Sequence, residues 1–303
     1  MIKRRRFLAK SAAVCSGFLA ASSLEEQTLL AQLVDRSKYG KPQEPAKGLP
    51  RGKLGRYELS RLLIGGNLIS GSAHADELLY QSALMTHYFT TEKILDTWKL
   101  AEENGINTTL MRADPHIFEH YRRFTRERGG HLHWIAQSAP EQGDPVENAK
   151  RARDLGAIAM YYHGGVCDKL VQAGKTDAIG PVVAGIRQTG LLAGIGAHRI
   201  ETVKACVAAG FDPDFFMLTV NQAKYCTSEP AEVAAFMESM RKPWIGFKVL
   251  GAGRVKPADG FRHAFQRGAD FIAVGMFDWQ INEDVTTAKG VLTDLKRTRP
   301  WCA

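Results

Sequence analysis

Several polar side chains that can transfer protons or bind anions stand at the ends of short apolar runs. His163 and His198 close two such runs, and Lys248 lies near the end of a third. Histidine is a general acid or base near neutral pH, and a desolvated lysine amine can act as a base or form a Schiff base. A lysine kept as a cation would instead bind a carboxylate or phosphate, and both roles stay open. Arg112 and Asp114 follow a further run and complete the candidate catalytic set.

The same positions also allow a metal site. If His163 and His198 end neighbouring strands, both rings can reach one divalent ion, and Asp114 and His116 can add to a mixed nitrogen and oxygen ligand set. Such an ion would support proton abstraction next to a carbonyl, as in sugar isomerisation, epimerisation or β-elimination. The alternative is a set of separate polar residues on a rim.

The elements that would position these residues alternate along the chain. From Leu62 onward, eight short apolar runs alternate with amphipathic helical patterns, three of which end at Gly105, Gly210 and Gly268. Eight βα units predict a parallel sheet closed into a single (β/α)8 TIM barrel over residues 49–303, with its active site at the carboxyl ends of the strands. The predicted strands are residues 62–66, 108–112, 132–138, 158–163, 191–198, 215–220, 244–250 and 271–277.

Side-chain alternation predicts which way the seventh strand faces. With a period of two, Ile245, Phe247 and Val249 share one face and Gly246 and Lys248 share the other. We assign the apolar face to the helices, which directs Lys248 into the mouth of the barrel.

Composition and charge narrow the class of protein. The 303 residues are 45% hydrophobic and 24% charged, which is typical of a globular chain, and no apolar run beyond the first thirty residues is long enough to span a bilayer. Of the formal charge of +8, residues 1–31 carry five basic and two acidic side chains. The remaining +5 is spread along the chain without a basic block, so nucleic acid is not an expected partner. A small-molecule substrate is expected.

The first 31 residues are typical of an export signal. Residues 4–8 (RRRFL) precede the weakly apolar segment 11–21, which is too short to cross a membrane and matches the twin-arginine pattern. The alternative is a basic N-terminal helix. We expect the twin-arginine export machinery as a partner and a periplasmic or other exported location, with residues 32–48 as a lead-in to the barrel.

Residues 49–66 (LPRGKLGRYELSRLLIGG) resemble the opening of an aldo/keto reductase, where a hairpin closes the barrel floor and the first strand follows. In the same order, 101–107 (AEENGIN) resembles the helix before the second strand, and 161–163 (YYH) resembles the strand end that carries the catalytic histidine. Residues 280–284 (QINED) resemble a stretch that contacts the adenosine end of NADP. The resemblance implies an oxidoreductase that uses NADP(H) on a polar carbonyl or sugar-like substrate.

The chain departs from the family at three of its four catalytic positions. Leu110 stands where the family has Asp, Pro115 lies near the Tyr position, and Gln137 or Ser138 ends the strand that should carry Lys. Only His163 is in place. Without the tyrosine, no group protonates the carbonyl oxygen as hydride arrives, so the residues favour other chemistry. The alternatives are a metal- or lysine-assisted lyase or isomerase, and a binding protein that has lost catalysis.

The cofactor stays open between NADP(H) and a divalent metal. Gly251, Gly253 and Arg254 follow the seventh strand and could present backbone amides and a positive charge to a phosphate. Gln280 and Glu283 are the corresponding candidates for the adenosine end of a nucleotide.

The loop after the sixth strand offers two further reactive groups. Tyr225 could replace the missing proton donor, and Cys226 could act as a nucleophile. The simpler interpretation is that both pack within the loop.

Overall fold

The computed structural model describes residues 44–72, 74, 79–297 and 299–303. The predicted export signal and residues 32–43 of the predicted lead-in lie outside these residues. The described strands are β1 (Arg51–Leu54), β2 (Tyr57–Ser60), β3 (Leu62–Gly65), β4 (Thr108–Arg112), β5 (His133–Gln137), β6 (Ala157–Tyr162), β7 (Leu192–Ala197), β8 (Phe215–Thr219), β9 (Trp244–Phe247) and β10 (Phe271–Gly275). The helices are α1 (Gln81–Tyr88), α2 (Thr91–Glu103), α3 (Pro115–Glu127), α4 (Pro145–Asp154), α5 (Gly164–Gln172), α6 (Ile179–Gln188), α7 (Ile200–Ala208), α8 (Pro230–Ser239), α9 (Pro257–Gln266) and α10 (Ile281–Thr293).

Strands β3 to β10 form a closed parallel barrel in chain order. Each strand pairs with the next, and β10 returns to β3 in register, with Ile272 opposite Leu62 and Gly275 opposite Gly65. The predicted (β/α)8 barrel is therefore confirmed. Most strands end one to three residues before the predicted position, so the polar residues that close the apolar runs lie in the first positions of the loops.

A two-stranded hairpin precedes the barrel, as the resemblance implied. β1 and β2 pair antiparallel, with Leu54 opposite Tyr57 at the turn. Leu54 and Leu59 are fully buried and belong to the same apolar cluster as Leu63 and Phe271 inside the barrel. Since the hairpin leads into the N-terminal end of β3, it closes the barrel at the end opposite the predicted site.

A second, larger apolar cluster lies between the strands and the helices. Trp98 of α2 and Trp134 of β5 are fully buried there. No helix of the described residues is both long enough and apolar enough to cross a bilayer.

The facing predicted for the seventh barrel strand is wrong. Ile245 belongs to the cluster inside the barrel and Phe247 packs against that cluster, whereas a side chain at Gly246 would meet Val220 on the outer side. The strand is apolar on both faces, so its alternation does not show which face is inside. Lys248 nevertheless reaches the barrel mouth, because β9 ends at Phe247 and Lys248 adopts a left-handed backbone with φ of 53°.

Candidate active site

A cavity of about 480 Å³ lies at the carboxyl ends of the barrel strands. Its lining includes several positively charged or basic side chains, and none of the described residues that line it is Asp or Glu. This environment favours an anion, or an oxygen atom that becomes negative during a reaction. The predicted site residues that line the cavity are Arg112, His163, His198, Lys248, Gly253 and Gln280.

His198 is held by a buried carboxylate. Its Nδ1 lies 2.8 Å from Asp168 Oδ2, and its backbone N–H donates to the same oxygen at 3.0 Å. Thr202 donates its hydroxyl to Asp168 Oδ1 at 2.6 Å. Burial alone would raise the pKa of Asp168, but the hydrogen bonds from His198 and Thr202 hold it below its ordinary value. Because an ionised carboxylate only accepts hydrogen bonds, Nδ1 of His198 carries a proton, which leaves Nε2 as the ring atom that can accept one.

The chain brings Asp168 to His198 through the close approach of α5 and β7. Helix α5 begins at Gly164, immediately after His163. A Cβ at Gly164 would lie 3.1 Å from the backbone nitrogen of Ala197, so only glycine allows the helix to pack this closely on the strand. Asp168, one turn into the helix, then faces the loop that follows β7. Asp168 was not among the predicted site residues, although the two glycines directly after His163 were the available signal.

His163 is the second histidine of the cavity. Its backbone N–H donates to the buried hydroxyl of Ser138 at 3.0 Å, and its buried Nδ1 has no hydrogen-bond partner among the described residues. Burial lowers the pKa of His163, and the charges of Arg112 and His198 lower it further, so the ring is neutral at pH 7. A Cβ at Gly165 would lie 3.2 Å from His163 Cε1 and 4.0 Å from His198 Cε1, so both rings lie close to this glycine.

Arg112 is the fixed cation of the site. Its Nε donates to Asp114 Oδ2 at 2.9 Å, its Nη2 donates to Asp114 Oδ1 at 3.2 Å, and Nη2 also pairs with Glu141. Burial acts to lower the pKa of Arg112, but the hydrogen bonds to Asp114 and Glu141 raise it overall. Asp114 is therefore the counter-ion of Arg112.

The four predicted metal ligands are not brought together. Asp114 is engaged by Arg112, and His116 lies in the first turn of α3 with its ring 6.0 Å from that of His120. Across the described ranges, no group of three or more His, Cys, Asp or Glu side chains is arranged to hold a metal ion. Of the four predicted ligands, only His163 and His198 lie close to each other as predicted.

Lys248 enters the cavity among aromatic rings. Its Nζ lies 5.7 Å from the ring centre of Tyr225 and 5.9 Å from that of Phe247. Burial lowers the pKa of Lys248, and the Cys226 thiol has a smaller effect in the opposite direction.

Tyr225 lines the cavity in a loop that its neighbours hold in place. Asn221 accepts from the backbone N–H of Tyr225 at 2.9 Å and donates to its carbonyl at 2.8 Å, and the Arg254 guanidinium lies 4.5 Å from the ring centre. The phenol donates to the backbone carbonyl of His74 at 2.5 Å. Cys226, beside it, is exposed.

Known structures share this architecture at low sequence identity. No family model matches the chain, and no curated protein is significantly similar to it. A Pseudomonas aeruginosa protein assigned to the aldo-keto reductases has a TM-score of 0.57 and 18% identity, covering 80% of this chain and 94% of its own. A Bacillus halodurans aldo-keto reductase in its holo form has a TM-score of 0.55 and 12% identity, covering 84% and 98%. A Gluconobacter oxydans glycerol dehydrogenase has a TM-score of 0.51 and 12% identity, covering 82% and 95%.

The chain has the aldo-keto reductase barrel fold. At these identities the similarity establishes the fold alone, so the chemistry must be argued from the residues of the cavity.

Only part of the set predicted to hold a nucleotide lies at the cavity. Arg254 donates to the carbonyl of Gly251 at 2.9 Å and neither residue lines the cavity. Gln280 lines the cavity, but its Oε1 accepts from a backbone N–H at 3.0 Å. Glu283 does not line the cavity. Gly253 does, but neither of the charged residues predicted to bind the nucleotide lines the cavity with it.

Proposed function

We propose that this protein is an enzyme that moves a proton on a small, polar, sugar-like substrate next to a carbonyl group, as a lyase or isomerase does. The observation that carries the proposal is the Asp168–His198 pair, which presents Nε2 of His198 as a base in the same cavity as His163 and Lys248. Removing a proton from the carbon next to a carbonyl places negative charge on the carbonyl oxygen. The Arg112 cation, which lines the same cavity, is suited to stabilise that charge.

The surroundings of each histidine ring indicate its role in the proton transfer. His198 is oriented by Asp168 and accepts the proton, because the carboxylate stabilises the imidazolium that forms. His163 is neutral and lies close to His198, so it can hydrogen-bond the substrate oxygen or return the proton.

Two side chains at the cavity argue against the usual reductase mechanism. Leu110, at the position of the family's aspartate, lines the cavity and packs inside the barrel. Tyr161 also lines the cavity, but burial raises its pKa well above the ordinary value, so its phenol is a poor acid catalyst for hydride transfer. An NADP(H)-dependent reductase remains the second candidate on the strength of the fold.

We also propose that the enzyme acts outside the cytoplasm, after export through the twin-arginine route. The support is residues 4–8 and the short apolar segment that follows them.

The test is hydrogen–deuterium exchange in heavy water. Purified protein is incubated with D-glyceraldehyde, dihydroxyacetone, D-glucose or D-fructose, and exchange at the carbon next to the carbonyl is followed by NMR. The wild type should catalyse exchange, and His198→Ala should reduce its rate by about 10²–10⁴-fold without lowering the melting temperature. His131→Ala is the control, because His131 is exposed and does not line the cavity.

Two other results would contradict the proposed proton transfer and favour a different function. Oxidation of NADPH with these carbonyl compounds, without exchange, would favour the reductase. Binding of the sugars with neither exchange nor NADPH oxidation would favour a non-catalytic binding protein.

A further inference from the structure

Lys248 differs from Lys224 and Lys93 in having no counter-ion among the described residues. Lys224, on the same rim, pairs with Glu229 at 3.0 Å, and Lys93 pairs with Asp278 at 2.9 Å. No carboxylate of the described residues lies within 4.0 Å of Lys248 Nζ, and its side chain is directed into the cavity between two aromatic rings. A cation in such a place loses solvation without gaining a counter-ion, and the two rings offset only part of that loss.

The backbone that places this amine is strained. A non-glycine residue in the left-handed region brings its Cβ too close to the following carbonyl oxygen, and Lys248 has φ of 53°. Such conformations persist where the surrounding structure imposes them, most often at functional sites. In the described part of the chain, the non-glycine residues with positive φ all lie in the two loops after β8 and β9. They are Lys224, Cys226, Lys248 and Ala252.

We propose that the Lys248 amine forms an imine with the carbonyl carbon of the substrate, which limits the substrates to compounds with a free aldehyde or ketone group. The reaction that the imine then undergoes rests on the proposed function. The unpaired position among aromatic rings and the strained backbone both favour an amine used as a nucleophile rather than a cation held by a salt bridge.

The step is balanced by proton transfers alone. The neutral amine attacks the carbonyl carbon, the C–N bond forms, and the π electron pair moves to the oxygen, which takes up a proton while the nitrogen releases one to Nε2 of His198. The resulting carbinolamine loses its hydroxyl as water after a second protonation, and nitrogen supplies the electron pair for the C=N bond. His163 and His198 line the same cavity and can deliver these protons. The protonated imine withdraws electrons, so His198 removes the neighbouring proton more easily, and hydrolysis by water later frees the product.

The Lys248 environment also supplies the reactive form of the amine. Burial disfavours the ammonium ion and lowers its pKa, which increases the fraction of neutral amine at neutral pH.

The experiment is reductive trapping. The full chain is incubated with dihydroxyacetone and sodium borohydride, and the adduct is located by peptide mass spectrometry. The wild type should gain the mass of one probe molecule less one oxygen atom, on Lys248 ahead of every other lysine. Lys248→Arg keeps the charge but cannot form an imine, and should show no adduct at this position and lose exchange activity. Lys224→Met, a neighbouring lysine outside the machinery, should label like the wild type.

The outcomes separate this inference from the proposed function. If exchange is observed and His198→Ala abolishes it, but no adduct forms and Lys248→Arg stays within about tenfold of the wild type, Lys248 is only a binding cation and the imine is rejected. If the adduct forms on Lys248 without any exchange, the imine stands and the proton-transfer function is rejected. Melting temperatures of the variants show whether each one folds.

Discussion

His198 Nδ1 lies 2.8 Å from Asp168 Oδ2, although the two residues belong to consecutive βα units of the barrel. Thr202, in the helix that follows His198, donates to the other oxygen of the same carboxylate at 2.6 Å. The carboxylate thus links α5 to both the loop after β7 and the start of α7. It fixes the position of the ring and the atom that carries its proton.

Replacing Asp168 should reduce activity far more than stability. In Asp168→Asn, the amide can donate to Nδ1, which moves the ring proton to Nε2 and removes the base from the cavity. We expect kcat to fall by about 10²–10⁴-fold with KM little changed. Steady-state kinetics of the exchange reaction measures this. Thr202→Val removes one neutral donor and should cost about tenfold at most. Equal losses in the two variants would contradict the tautomer argument.

The barrel could be predicted from the sequence because each of its strands and helices corresponds to a pattern of neighbouring residues. Each strand is a short apolar run, each helix has its own periodicity, and the alternation of the two permits few folds. The residues at the strand ends followed from the fold. His163, His198 and Lys248 line one cavity for this reason.

Contacts between elements could not be predicted in the same way. Asp168 meets His198 because Gly164 lets α5 pack closely on β7. The separation between a helix and a strand cannot be read from the spacing of residues along the chain. Asp114 was predicted as a metal ligand, but a carboxylate two residues from Arg112 can equally form an ion pair, and it does so at 2.9 Å. Pairings of this kind depend on side-chain geometry that only the folded chain defines.

A methyl group added at Gly196 should displace the backbone that positions His163. Its Cβ would lie 2.8 Å from the carbonyl oxygen of Tyr162 and 2.9 Å from the nitrogen of Gly164, and these backbone atoms carry His163 between them. We expect Gly196→Ala to lower the free energy of unfolding by about 1–3 kcal/mol and to reduce kcat as well. Chemical denaturation and kinetics on the same samples measure the two effects.

Gly290 provides the matched control, because a Cβ there meets nothing within 4 Å and the residue lies within α10. Gly290→Ala should raise the free energy of unfolding by about 0.5–1 kcal/mol and leave kcat unchanged. A Gly196→Ala variant as stable and active as this control would show that the loop after β6 moves freely.

Asp284 should make stability depend on pH. Burial, and to a lesser extent the charge of Glu283, raises its pKa from 3.8 to about 7. Between these two values the folded chain keeps a proton that the unfolded chain releases, so the free energy of unfolding decreases as the pH rises towards 7. Asp284→Asn removes this penalty. It should raise Tm at pH 8 by at least about 2–4 °C more than at pH 5, measured by calorimetry.

Glu283→Gln is the control for that variant, since Glu283 is exposed and adjacent. Its effect on Tm should be small at both pH values. An Asp284→Asn variant whose gain in Tm is the same at pH 5 and pH 8 would show that Asp284 is ionised throughout.

At the N-terminal end of β10, the Asp270 and Arg299 ion pair should matter for stability and not for catalysis. Arg299 Nη1 lies 2.9 Å from Asp270 Oδ2, and both side chains are almost completely buried. Asp270→Asn leaves a buried guanidinium without its counter-charge, so we expect a loss of about 3–5 kcal/mol in the free energy of unfolding.

The exposed pair of Arg51 and Glu58 is the comparison, and Glu58→Gln should change stability by less than about 1 kcal/mol. Because Asp270 precedes the strand whose opposite end borders the cavity, kcat of the folded fraction should stay at the wild-type value in both variants. A fall in kcat with Asp270→Asn would mean that this end of the barrel controls the geometry of the site.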